Sequence, residues 1–134
     1  MDPISPPLHV AIINNNPPGT EFWHDIKQWF ISSFNVVCAE AQLFFFDPVE
    51  GAILPDPAKF HLIILSGGKA DASASDPWII REMEYVQKVV KSALGAKLMG
   101  ICWGHQLIHR ALGGDVGPVS DGPVVSSMTK SFAF

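Results

Sequence analysis

The sequence predicts an open α/β domain with a mostly parallel sheet and helices on both of its faces. Three observations carry that prediction. Short apolar runs alternate with longer segments of helical period, in the order strand, helix, strand, strand, helix, strand, helix. The strand-like runs, such as Leu62-Ile63-Ile64-Leu65, are continuously apolar rather than alternating, as in strands buried on both faces. Hydrophobic residues make up 48% of the chain and charged residues only 16%, a balance that a sheet covered on both sides explains most simply.

Residues 8–14 read as the first strand, stopped by Asn15-Asn16-Pro17-Pro18-Gly19. A helix then opens with Thr20 as N-cap and Glu21 and Asp25 in its first turns. Its expected buried stripe is Phe22, Ile26, Trp29 or Phe30, and Phe34. Residues 41–46 form a second strand ended by Asp47-Pro48, and residues 60–65 a third that runs directly into Ser66-Gly67-Gly68. The small, polar residues 69–75 read as a loop. Asp76-Pro77 opens the next helix, a capping side chain followed by proline at the first helical position. Ile79 or Ile80, Met83, Val86, Val90 and Leu94 form its core stripe, Asp76, Glu82 and Glu84 read as a cap and solvated charges, and Gly95 stops it. Residues 98–101 make a fourth strand, and a last helical run, 105–112, closes at Gly113-Gly114. The whole chain, 1–134, is read as one domain, with 1–7 a flexible N-terminus and 115–134 a divergent tail.

Composition narrows the function classes. A net charge of −4, with nine Lys and Arg and no basic stripe, argues against nucleic acid as a partner. No stretch reaches the ~18 uninterrupted apolar residues of a membrane helix, and residues 1–7 lack the basic and apolar regions of a signal peptide. Cys38 and Cys102 offer neither a disulfide framework nor a paired zinc spacing, so no metal or cofactor is expected. These observations predict a cytoplasmic protein that works without membrane or nucleic acid.

The chemistry concentrates at Gly100-Ile101-Cys102-Trp103-Gly104, a thiol where a strand gives way to a helix. Acyl transfer at cysteine needs a thiolate, donors for the oxyanion and a base held by a third group. The helix aims its first N–H groups at the sulfur, the Trp103 N–H lies just after the nucleophile, and the Gly67-Gly68 turn can supply a second donor. A lone cysteine is more often a small buried hydrophobe, but the G-x-C-x-G frame after a strand favours an exposed nucleophile. Trp78, Trp103 and Phe132 are candidate lining for an apolar pocket, and Asp115 and Asp121 fall in loops after the elbow helix, within reach of the site in principle.

Leu65-Ser66-Gly67-Gly68, Asp76-Pro77-Trp78 and Gly100-Ile101-Cys102-Trp103-Gly104-His105-Gln106, closing on Arg110-Ala111-Leu112-Gly113-Gly114, resemble class I glutamine amidotransferases. The likeness runs over residues 8–114 and is nearest to the stand-alone, GMP-synthase-like proteins of fungi, some of them encoded near secondary-metabolite pathways. It implies a flavodoxin-like fold, Cys102 as nucleophile, an oxyanion hole from Gly68 and Trp103 beside Gly67, and Gln106 as a substrate contact. His105 belongs to the same motif, and Lys69 places a cation beside the pocket where family members often have proline.

Family members complete the triad with a His-x-Glu pair in a second half after the elbow helix. Here no His follows His109 and no Glu follows Glu84. The chain is therefore read as a truncated form of that fold, and ordinary glutamine hydrolysis is not expected of it. His9, His24 and His61 read as structural. The expectation is a small-molecule biosynthetic step at Cys102 in secondary metabolism, whether isomerisation, addition, cyclisation or acyl chemistry. The alternatives are a catalytically silent binding or scaffold relative and a fragment of a full-length glutamine-hydrolysing protein. A sheet edge or elbow-helix face left uncovered by the missing half predicts a homodimer.

Overall fold

A computed structural model of the chain describes residues 7–92 and 95–117. Its sheet contains β1 (His9–Ile13), β2 (Gln42–Phe46), β3 (Leu62–Leu65) and β4 (Lys97–Gly100), in the order β2-β1-β3-β4 with every pair parallel. Three helices, α1 (Glu21–Val37), α2 (Pro77–Lys91) and α3 (Trp103–Ala111), complete the predicted alternation. Two short 3-10 turns, Pro48–Glu50 and Pro57–Lys59, each begin at a proline and fill the passage from β2 to β3. Leu94, Asp121 and Phe132 lie outside the described residues, as do 118–134 of the tail.

Because side chains alternate across a strand, the central strand divides its residues between two cores. Val10 and Ile12 of β1, with Ile64 of β3, pack against Trp23 and Phe30 of α1. Ala11 and Ile13, with Ile63 and Leu65, pack against Ile79, Val86 and Val89 of α2 and Leu107 and Ile108 of α3. Helices therefore cover both faces of a parallel sheet, as the apolar runs predict. No helix among the described residues is long and apolar enough to cross a membrane.

Helix phase differs from the expected stripes in two places. The Thr20 hydroxyl caps the Trp23 N–H at 3.3 Å, and the α1 stripe runs through Trp23, Ile26, Phe30 and Phe34. Phe22 and Trp29 consequently face outward, 37% and 58% exposed. On α2 the buried line is Ile79, Glu82, Tyr85, Val86 and Val89, so Val90 is half exposed and Glu82, expected to be a solvated charge, lies in the core. Asp76 makes no side-chain cap; its carbonyl accepts from the Ile79 and Ile80 N–H groups at 3.0 and 3.1 Å. The helix ends at Lys91 with Ser92 as C-cap, whose N–H bonds the Lys88 and Val89 carbonyls, so it stops before Gly95.

The burial of one tryptophan and exposure of the other gives a direct check. Trp23→Ala should lower unfolding free energy by about 3–5 kcal/mol, as emptying a core aromatic does, while Trp29→Ala should cost less than about 1 kcal/mol. Urea denaturation of the two variants measures both; comparable losses would refute this helix phase.

Candidate active site

The chain leaves β1 toward β2 on one side and continues from β3 to β4 on the other, so strand order reverses between β1 and β3. In open α/β sheets the crevice for ligands opens there, beyond the carboxyl ends of the strands. Three segments meet at that end: Asn14-Asn15-Asn16 after β1, Ser66-Gly67-Gly68 after β3 and Cys102 after β4.

The three asparagines, each at most 3% exposed, tie the first two segments together. Asn15 donates from its backbone to Ser66 Oγ at 3.1 Å and from Nδ2 to the Ser66 carbonyl at 2.9 Å. Asn16 Nδ2 donates to the Gly67 carbonyl at 2.9 Å. Asn14 Oδ1 accepts from the Asn16 N–H at 2.9 Å, and Asn14 Nδ2 donates to Asp47 Oδ1 at 2.7 Å. Sequence reasoning took Asn14 as the last residue of the strand and Asn15-Asn16 only as part of its stop. The signal it passed over is a run of amide side chains directly at the end of a buried strand, where each backbone group needs a partner.

The elbow is built by close approach. Ile101 N–H continues the ladder to the Leu65 carbonyl at 2.9 Å, and Cys102 then turns the chain with φ 52° and ψ −105°. Cys102 is the one non-glycine residue of positive φ among those described, a conformation that costs about 1–3 kcal/mol. The flanking glycines are needed for room rather than for their own dihedrals. A Cβ on Gly104 would overlap the Leu65 carbonyl, and one on Gly100 would lie 2.5 Å from the His105 nitrogen.

The Cys102 thiol is exposed. Gly67 lies opposite, where a Cβ would meet Cys102 Cβ at 3.7 Å. Trp103, the first helical residue, has no intrahelical acceptor for its N–H, and the Gly67 and Gly68 N–H groups have no acceptor among the described residues. N–H groups without a protein acceptor at the positive end of a helix are the kind of donors that can stabilise developing negative charge.

The remaining predicted residues occupy distinct places. Gln106 and His105 are half-buried in the first turns of α3, and the Gln106 N–H bonds the Cys102 carbonyl at 3.0 Å. Trp103 is only 2% exposed and stacks on Trp78 with ring centroids 5.3 Å apart, so its ring belongs to the core and its backbone to the site. Lys69 is exposed, with Nζ 4.5 Å from the centre of the Phe22 ring. Arg110 donates to the Ala72 and Ala74 carbonyls at 2.9 and 2.7 Å, pinning the loop that follows Gly68. In that loop the Ser73 hydroxyl and N–H hold the exposed Asp71 carboxyl below its ordinary range.

The histidines are dispersed. His9 and His61 sit at the amino ends of their strands, away from the thiol, with His61 Nδ1 accepting the His9 N–H at 3.0 Å. His24 and His109 are exposed on α1 and α3. Among the described residues no group of three or more His, Cys, Asp or Glu converges to hold a metal.

Beneath the site, Glu82 of α2 is fully buried. Burial pushes its carboxyl up to about 8, against a smaller opposing effect from the neighbouring Asn15 amide. Tyr85, one turn on, donates to the Pro55 carbonyl at 2.7 Å, and its hydroxyl is pushed above the ordinary tyrosine range, chiefly by burial.

Residues 21–131 match the family Glutamine amidotransferase class-I. The glutamine amidotransferase-like protein chyE of Penicillium rubens is 36% identical over 127 residues, 94% of this chain and 53% of that protein. Gamma-glutamyl peptidase 2 of Arabidopsis thaliana is 31% identical over 113 residues, 79% of this chain and 44% of the relative. The chain thus spans about half the length of the relatives it matches. The crystal structure of a glutamine amidotransferase from Methylobacillus flagellatus superposes with a TM-score of 0.57 at 18% identity, over 84% of this chain and 41% of that one.

Two outcomes follow from the packing around the thiol. Gly104→Ala should destabilise the protein by about 1–3 kcal/mol through overpacking on β3, whereas Gly117→Ala, with nothing within 4 Å, should be near neutral; urea melts compare them. The second concerns Glu82, whose carboxyl takes up a proton at about 8 in the folded protein and at the ordinary 4.5 when unfolded. The folded state therefore holds an extra proton between those values, and stability should fall as pH rises through that window, by at most about 1.4 kcal/mol per pH unit. Glu82→Gln should flatten this slope in denaturant titrations at stepped pH; an unchanged slope would refute it.

Proposed function

The chain belongs to the class I glutamine amidotransferase family, and on that footing we propose that it performs Cys102-dependent acyl chemistry on a small molecule in a biosynthetic step. The observation that carries this reading is the exposed thiol held at positive φ on the N-terminus of α3, facing the Gly67 turn. A γ-glutamyl-type amide is the proposed substrate class, suggested by the name of the Arabidopsis relative.

In the proposed step, Cys102 Sγ, as thiolate, forms a bond to the carbonyl carbon while the carbonyl π pair moves onto oxygen. The Trp103 and Gly68 N–H groups receive that charge. Collapse restores the carbonyl and expels the amine, which takes a proton from solvent water as the C–N bond breaks, and a thioester remains on Cys102. Gln106 and His105, on the first turns of α3, are assigned to holding the polar end of the substrate, with Lys69 as a further charged contact at the rim.

Proton delivery limits this scheme. His105 is the one histidine in the first turn after the thiol; the others lie at the far strand ends, on α1 or farther along α3. Acyl transfer without a dedicated imidazole loses several orders of magnitude. Formation of the thioester is therefore expected to outpace its release.

An electrophilic glutamine analogue, 6-diazo-5-oxonorleucine, should add one equivalent per chain, read by intact mass and located on Cys102. With a γ-glutamyl anilide, wild-type protein should release a burst of about one equivalent before slow turnover. Cys102→Ser should lower both rates by about three orders of magnitude or more. A Cys102 that reacts with iodoacetamide but with neither glutamine-like probe would overturn the proposal.

A further inference from the structure

At the amino ends of the strands, opposite the thiol, lies a cavity of about 690 Å³. Its boundary includes Leu8 and His9 at the start of β1, Lys59, Phe60 and His61 just before β3, and Lys97 at the start of β4. The register explains how residues from two faces of the sheet reach one space. Lys97 pairs with Leu62, which packs with Leu8 on the α1 side. His9 and His61, each one residue before the paired Val10 and Leu62, fall on the opposite side. The cavity therefore lies across the strand ends rather than on either face.

Its polar lining is one-sided. The two lysine ammonium groups can only donate. His61 Nδ1 accepts the His9 N–H at 3.0 Å, which places the ring proton on Nε2 and makes that nitrogen a donor as well. The backbone at this end is already paired, with the His61 N–H on the His9 carbonyl and the Lys97 N–H on the His61 carbonyl, both at 2.9 Å. Among the described residues no Asp or Glu lines the cavity. Asp56, close by in sequence, is occupied in capping the Ala58 N–H at 3.0 Å. In a chain of net charge −4 this is a local excess of cations. The cavity beside the start of α1 shows the contrast, since Glu21 and Asp47 line it together with His24 and Lys27.

The remaining wall is apolar. Phe60, half-buried, meets Phe44 and Phe46 edge-on with ring centroids 5.6 and 5.8 Å away, and Phe44 in turn meets the His9 ring at 5.8 Å. Two full positive charges and a ring donor exceed what one carboxylate can use. A phosphate monoester brings about −1.5 to −2 charge at pH 7 and three acceptor oxygens.

We propose that this amino-end cavity binds a small organic phosphate: Lys59, Lys97 and His61 hold the phosphoryl oxygens, and Leu8 and Phe60 contact the apolar body of the ligand. The volume falls within the usual range of small-molecule sites. The site is separate from Cys102 and does not rest on acyl chemistry there. No bond is made or broken in it.

The test is calorimetric titration of the full chain with phenyl phosphate at low ionic strength. Binding should saturate at one equivalent, and phenol, which lacks the phosphoryl group, should not bind. Lys59→Met and Lys97→Met should each weaken binding by about three- to tenfold, and the double variant by more than either. Both lysines are exposed, so the variants should fold as the wild type does. Lys27→Met, on α1, should bind like wild type. In nitrogen-15 spectra the amides of residues 59–61 and 97 should shift on binding while those of Gly67 and Gly68 stay still. Equal affinities for wild type and the double variant, or shifts centred on Gly67 and Gly68, would overturn the proposal. So would a titration that fails to saturate by roughly 10 mM, well past a millimolar Kd. Co-sedimentation with phosphatidic acid vesicles that phenyl phosphate cannot displace would overturn the assignment to a small soluble ligand.

Discussion

The first turn of α3 lies so close to the carboxyl end of β3 that only a hydrogen fits at residue 104, beside the Leu65 carbonyl. The rest of the site depends on that approach. It leaves no length of chain for a relaxed turn between β4 and the helix, so the sharp bend is taken at Cys102, with its dihedrals in a sparsely populated region. The bend presents the sulfur to solvent and turns the first helical N–H toward the same space. It also sets the thiol directly across from Gly67, because Leu65, whose carbonyl limits the helix, is the residue from which that loop departs. The Cys102 thiol and the Gly67 turn are thus placed opposite each other by a single backbone contact rather than by separately tuned side chains.

The fold was legible because its signals were redundant. Continuous apolar runs, helical periods and the turn residues after them agreed on the four strands and three α-helices among the described residues, and missed only the two 3-10 turns between β2 and β3. Helix phase was less legible. Phe22 and Trp23 are adjacent and both apolar, and a period cannot choose between neighbours; the Thr20 cap and the surface offered by β1 and β2 chose Trp23. Glu82 was misplaced because charge type predicts exposure well on average and says nothing about which phase a particular helix adopts. At the site, the glycines flanking Cys102 were legible as a motif; in the structure their role is clearance, and the unusual dihedral falls on the cysteine. The asparagine run showed in sequence only as amides at a strand end, and its partners, Ser66 and Gly67, lie more than fifty residues away.

Beneath the crevice, the protein spends buried volume on polar groups. Asn14, Asn15, Asn16, Ser66 and Glu82 are all at most 3% exposed, an expensive arrangement unless each donor and acceptor is matched. Their bonds join the loop after β1 to the loop after β3, the two segments that bound the crevice where strand order reverses. An apolar filling of the same volume would pack as well but would not define loop geometry. The polar layer trades stability for a specified shape at the carboxyl ends of the strands.

The wholly parallel pairing has a consequence for how the chain reaches this state. Val10 in the central strand is joined to Leu43 on one side and to Leu62 on the other, each across an intervening crossover. No hairpin exists among these strands to nucleate pairing locally, so every rung of the sheet requires a distant loop closure before it is rewarded. During synthesis β1, α1 and β2 emerge first and can close one face, while the other edge of β1 waits, apolar and unpaired, for β3. Among the described elements the elbow at Cys102 needs β4 to have found β3 first, and until β3 arrives the open edge of β1 is the surface most prone to association with other unfinished copies.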